Sequence, residues 1–142
     1  MKLLTTLIPA ALIVLAATPA LAETTAIDVT KADSITCAPD RMARCKSETE
    51  CSWKTANEKD KEQLLVVDFK AKTASFMHQG KTRGGGLVLE DKMNGEARSF
   101  VISKDATRKP RTTMEMTVDK TGKLTGTRNA GKIKIEATCK AS

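Results

Sequence analysis

The chain has 142 residues, carries 24 Lys and Arg against 17 Asp and Glu for a net charge of +7, and is 40% hydrophobic. That length fits one domain with a modest core. The aromatics are limited to Trp53, Phe69, Phe76 and Phe100, which cannot supply both a core and a base-stacking platform, so nucleic-acid binding is not expected.

Residues 1–22 predict a secretory signal peptide. Lys2 supplies the charge, residues 7–15 are mostly apolar, and Ala20-Leu21-Ala22 places small residues before a cleavage expected between Ala22 and Glu23. The apolar run is shorter than the ~20 residues a spanning helix needs. The first cysteine is Cys37, so no acylated cysteine follows the cleavage site. Lys2 is the only charged residue in the segment, so its loss takes the net charge from +7 to +6. A basic chain exported to the periplasm or secreted is expected to be soluble. It is also drawn to anionic polymers, lipid headgroups or acidic partners.

Residues 23–62 form a Cys-rich N-terminal segment of the same domain. Residues 23–36 are polar apart from the isolated Ile27, Val29 and Ile35, and predict a frayed end or an edge strand. Ala38-Pro39-Asp40 predicts a helix start, with a short helix over 41–48 carrying Met42 and Cys45 on one side. Residues 55–61 are charged and aperiodic, and predict a loop.

The cysteines are Cys37, Cys45, Cys51 and Cys139. An even number in an exported domain predicts two disulfides. Their C-x7-C-x5-C spacing is not that of a zinc site, and no C-x-x-C suggests a thiol oxidoreductase. Cys139 shares a face with Ile133, Ile135 and Ala137, so its sulfur points inward. One of the three N-terminal cysteines must reach it, and the other two close a short loop. Closing the long loop contributes about 4 kcal/mol in the chain-entropy model.

From residue 63 to 142 the period is two. Leu65, Val67 and Phe69 form one apolar face. Residues 71–73 predict a tight turn and 74–78 a strand. Gly84-Gly85-Gly86 interrupts the chain before a short strand at 87–89, and Met93-Asn94-Gly95 predicts a turn. Residues 98–103 place Phe100 and Ile102 on one face. Residues 108–111 read as a basic loop broken by Pro110. Met114, Met116 and Val118 alternate with polar residues, Gly122 closes a hairpin, and residues 124–127 return. Asn129-Ala130-Gly131 turns again into the strand that ends at Cys139. About seven strands follow one another without a long helix. The expected fold is all-β: an antiparallel meander closing into a small β-barrel or strongly curved sheet, capped by the Cys-rich helix or loop segment.

Two basic segments are candidate anion sites. Lys81 and Arg83 precede Gly84, Gly85 and Gly86, whose N–H groups either form a nest or mark a bulge where strands bend. Arg108, Lys109 and Arg111 form the densest basic cluster, either a solvated loop or a site for phosphate, sulfate or an acidic polymer. If the two segments converge at one barrel end, they make a single cationic mouth. His78 is the only histidine, and Ser75 is near it in sequence. No nucleophile elbow is present, so no catalytic residue is expected. Asp68, Glu90, Asp91 and Glu96 show no ligand spacing, and no metal or cofactor is expected.

The signal peptide, the meander over 64–139 and an inward cysteine on the last strand resemble the membrane-bound and periplasmic inhibitors of c-type lysozyme. The resemblance implies a small exported β-barrel. The inhibitory loop of that family is rich in Ser and Gly with a Lys and a Tyr, whereas this chain has no Tyr and only Gly84-Gly85-Gly86 as a counterpart. The functional expectation is an exported, non-enzymatic β-domain that binds an envelope component or another exported protein. The alternatives are a carrier of a small apolar ligand, in a cavity lined by Leu65, Val67, Phe100, Met114 and Met116, and an inhibitor-like barrel. A hydrolase built on His78 would need a nucleophile and an acid around that ring.

Overall fold

A computed structural model describes residues 27–142, so the expected signal peptide and its cleavage site lie outside the described residues. The strands are β1 Ser34–Cys45, β2 Cys51–Thr55, β3 Gln63–Asp68, β4 Thr73–His78, β5 Lys81–Asn94, β6 Ala97–Ser103, β7 Thr113–Val118, β8 Lys123–Arg128 and β9 Ile133–Ala141, with a one-turn helix α1 at Glu58–Lys61. Each strand from β4 to β9 pairs antiparallel with its predecessor, and β1 pairs with both β3 and β9. That last pairing closes an eight-stranded antiparallel barrel, and β2 lies outside the ring on the far half of β1. No helix among the described residues is long and apolar enough to cross a membrane.

Closure follows from the alternation read in the sequence. Ile35, Cys37, Val67, Phe100, Ile102, Val118 and Leu124 are almost wholly buried inside the ring. Phe69 packs edge-on to Phe100 with ring centroids 5.1 Å apart. Two disulfides are present: Cys37–Cys139 joins directly opposed residues of the β1–β9 seam, and Cys45–Cys51 closes the β1–β2 hairpin. The inward placement of Cys139 and the short local bridge are therefore as expected. Such bridges suit an oxidising compartment.

Four local expectations are corrected. The helix expected over 41–48 is the second half of β1, and the first half is a central strand rather than an edge. The register of β1 against β9 shifts between Pro39 and Arg41, so Asp40 is an extra residue. This bulge accommodates a proline that lacks an N–H, and it reverses which parity faces inward. Cys37 opposes Cys139 before the bulge and Met42 opposes Ile135 after it. The 55–61 loop contains the end of β2 and α1, whose N-terminus is held by reciprocal hydrogen bonds between Asn57 and Asp60. Gly84, Gly85 and Gly86 lie within the 14-residue β5 rather than in a break between strands. A side chain on Gly86 would meet the Ser103 carbonyl oxygen at 2.7 Å, so glycine lets β5 approach β6.

The meander sorts the connections between two ends. Residues 69–72, 95–96 and 119–122 turn at one end, and residues 46–50, 79–80, 104–112 and 129–132 turn at the other. The first end is sealed. Asp28 caps a 3-10 turn at Val29–Lys31, and Val29 and Thr30 are buried against the barrel. Arg98 ties that turn down, donating to the Thr30 and Ala32 carbonyls at 3.1 and 2.8 Å and to both Asp91 carboxylate oxygens at 2.6 Å. Its guanidinium also lies 3.5 Å from the centre of the Phe69 ring. The second end has no such plug among the described residues.

Candidate functional site

At the open end, alternation and the bulge bring apolar side chains from most of the ring around one cavity of about 380 Å³. Leu65, Phe76, Met114, Met116, Leu124 and Ile135 form much of its wall. It reaches the gap between β1 and β3, where β1 leaves its pairing with Leu65 and turns to β2. Of the five residues expected to line an apolar cavity, Leu65, Met114 and Met116 do so. Val67 and Phe100 instead fill the packed core.

The volume lies within the range of small-molecule sites, and an eight-stranded barrel is just wide enough to hold one small ligand. Small residues create the room. Ala74, Gly84, Gly86, Gly126 and Ala137 pair with or neighbour inward positions, so larger side chains on facing strands need not meet. The Met116 sulfur occupies the place where a side chain on Gly126 would stand.

A second cavity of about 290 Å³ adjoins the first through the shared residues Phe76 and Met114. Lys104, Arg111 and Arg128 line it together with Gly84 and Gly85, and Arg83 lines the first. No Asp or Glu lines either cavity among the described residues. The two basic segments therefore do open at the same end of the barrel, but the structure divides their cations. Arg83 and Arg111 face the cavities, whereas Arg108 is ion-paired with Glu90 at 2.7 Å. Lys81 and Lys109 line neither cavity. Gly84, Gly85 and Gly86 do not have the positive φ seen at Gly80, Gly95, Gly122 and Gly131, so their backbone is extended rather than curled into a nest.

Lys104 and Arg128 were not singled out by sequence. Each is a lone basic residue at a strand end, and only the alternation of turns between barrel ends points to their company. His78 also lines the apolar cavity, and its Nδ1 is buried without a hydrogen-bond partner among the described residues. Strand alternation puts Ser75 on the opposite face of β4 from His78, so the two are not brought together. No three His, Cys, Asp or Glu side chains among the described residues gather in positions that could hold a metal ion.

The outer face is of a different character. Two larger clefts, about 560 Å³ on the outer wall and about 1030 Å³ beside the open-end turns, are lined by mixed charges that include Glu90, Glu115 and Glu136 beside Lys92 and Lys134. Arg41 forms a two-point ion pair with Glu136 and also stacks over Trp53, 4.3 Å from the ring centre. The Arg41 guanidinium holds the Glu136 carboxyl below the usual carboxylate range. The larger of these clefts has five basic residues against two acidic ones in its lining and shares Arg128 with the second cavity, whereas the smaller is close to neutral.

No protein-family model matches the chain, and no curated protein matches it significantly.

Proposed function

We propose that the chain is an exported, non-enzymatic binding protein that carries a small apolar ligand in the open end of its barrel. The observation that supports this reading is the apolar cavity walled by Leu65, Phe76, Met114, Met116, Leu124 and Ile135. Apolar surface left in contact with water is unfavourable by roughly 25 cal/mol per Å², and a ligand that covers it recovers that free energy. The far end is plugged by the Val29–Lys31 turn and Arg98, so a ligand would enter and leave at one side only.

The test is displacement of an environment-sensitive apolar dye from the disulfide-bonded protein. Met114→Trp is the informative variant, because Met114 borders both cavities and is only half-buried, so the indole fills space without displacing the core. Dye bound by the parent and excluded by this variant supports the reading. Equal dye binding by both would place the dye elsewhere and remove it.

Export to the periplasm or medium is part of this reading, and the two disulfides are compatible with it. Native protein should begin at Glu23 by intact-mass measurement. Recovery of the uncleaved chain from a membrane pellet would contradict export. Binding of an anionic envelope polymer or an exported protein is a second reading, supported by the excess of basic residues and by the unpaired cations at the open end.

A further inference from the structure

Building on the apolar-cavity reading, we propose that the ligand is an amphipathic anion. One alkyl or acyl chain would lie in the barrel, with its carboxylate or phosphate head among Arg83, Lys104, Arg111 and Arg128.

The argument starts from how this chain disposes of its arginines. Arg41, Arg98 and Arg108 are each paired with a carboxylate: Glu136, Asp91 and Glu90. Arg44, Arg83, Arg111 and Arg128 have no ion-pair partner among the described residues, and neither has Lys104; Arg44 lines neither cavity, whereas the other four do. These four come from separate places in the sequence: β5, the loop after β6, the turn at Pro110–Thr112, and the end of β8. The meander gathers them around two adjoining cavities that no carboxylate lines. A solvated surface mixes both signs, as the outer clefts do. Two adjoining cavities whose only charged lining is cationic, beside an apolar interior, are complementary to a ligand with a negative head and an apolar tail.

Size sets the second limit. At the ~30 Å³ that a water-sized group occupies, 380 Å³ accommodates about a dozen heavy atoms. That is a chain of medium length, not a bilayer lipid with two long tails. His78 adds one unmet polar contact on the cavity wall, available to a head-group oxygen or to water.

Three probes separate the possibilities by calorimetric titration of the mature, disulfide-bonded protein: decanoate, decyl phosphate and 1-decanol. They share a tail and differ in the head. Several exposed charge contacts together should make at least one anion bind about tenfold tighter than the alcohol. That advantage should shrink at high salt and disappear in the Arg83→Gln/Arg111→Gln/Arg128→Gln variant, with decanol affinity unchanged. The three side chains are exposed and unpaired, and circular dichroism checks that the variant remains folded. Comparison of the two anions identifies which head group the mouth prefers. If decanol binds as tightly as both anions, the charge inference is overturned and the apolar cavity stands. If none of the three binds, the cavity reading itself fails and the anion inference falls with it.

Discussion

Removing the Cys37–Cys139 bridge should destabilise the barrel about twice as much as removing Cys45–Cys51. The first bridge spans a sequence separation of 102 and the second a separation of 6. In the chain-entropy model, the constraint on the unfolded chain is worth about 4.7 kcal/mol for the long loop and about 2 kcal/mol for the short one. For a domain of this size, 1 kcal/mol corresponds to about 4 °C in Tm, so the expected falls are about 19 °C and about 8 °C. Location adds to the difference. Cys37 and Cys139 are 1% and 3% exposed in the seam that closes the ring, whereas Cys45 and Cys51 sit at a peripheral hairpin. The assay is thermal melting of Cys37→Ala/Cys139→Ala and Cys45→Ala/Cys51→Ala beside the parent, with urea titration for the free energies. A larger loss from the short bridge, or equal losses, would refute the reasoning. It would show that native-state packing around each bridge, not loop length, sets its contribution.

Gly122→Ala should cost about 3 kcal/mol by urea titration, because Gly122 has φ +94° and an added Cβ would lie against the Cys139 carbonyl oxygen. Gly131→Ala, at φ +81° but with open space around it, should cost only about 1–2 kcal/mol, and equal losses would show that the steric contact is relieved elsewhere. Acid should destabilise the protein. The Asp119 carboxyl is lowered chiefly by the Thr121 hydroxyl and the Glu136 carboxyl by Arg41. A depressed folded value gives stability that is complete above the unfolded value and lost as pH falls through the folded one. The loss between pH 7 and pH 2 should therefore be smaller in Arg41→Met than in the parent, and identical losses would show that the ion pair does not contribute. On a heparin-like column, Arg111→Glu should elute at lower salt than Arg108→Glu, since Arg108 is already neutralised by Glu90. Equal shifts would mean that net charge alone governs retention.

The sequence is most legible where apolar and charged residues alternate without interruption. Met116 and Val118, Leu124, and Ala137 with Cys139 are inward as read, and Gly122 turns where expected. The first strand escaped because the extra residue at Asp40 reverses its parity. Ile35 and Cys37 are inward on one side of that bulge and Met42 on the other, which breaks the period of two. Met42 and Cys45 then stand three apart, as on a helix, and Pro39 deepens the resemblance to a helix start. No local signal marks such a bulge, because it is fixed by pairing with a strand about a hundred residues away. The choice of Cys37 as the partner of Cys139 was hidden for the same reason. Gly84, Gly85 and Gly86 show no pattern because they have no side chains, yet their lack of side chains is what lets β5 approach its neighbours.

The candidate site was half legible. Leu65, Met114 and Met116 could be assigned to an inner face, but which inner positions pack solidly and which leave space depends on the staggering of strands around the ring. The cations were legible as charges and not as partners. Arg108 and Arg111 look alike in sequence, and only the fold puts Glu90 beside one and an apolar cavity beside the other. The two ends of the barrel make the same point with a single residue type. At the closed end Arg98 donates to two carbonyls and a carboxylate and covers an aromatic ring. At the open end the three arginines that line the cavities have no partner carboxylate among the described residues, and an imidazole nitrogen is buried without a partner. Folding alone would favour satisfying both ends alike. The asymmetry places the unmet interactions around the one apolar space that remains unfilled, which is where a ligand with a charged head and an apolar tail would supply what the chain itself does not.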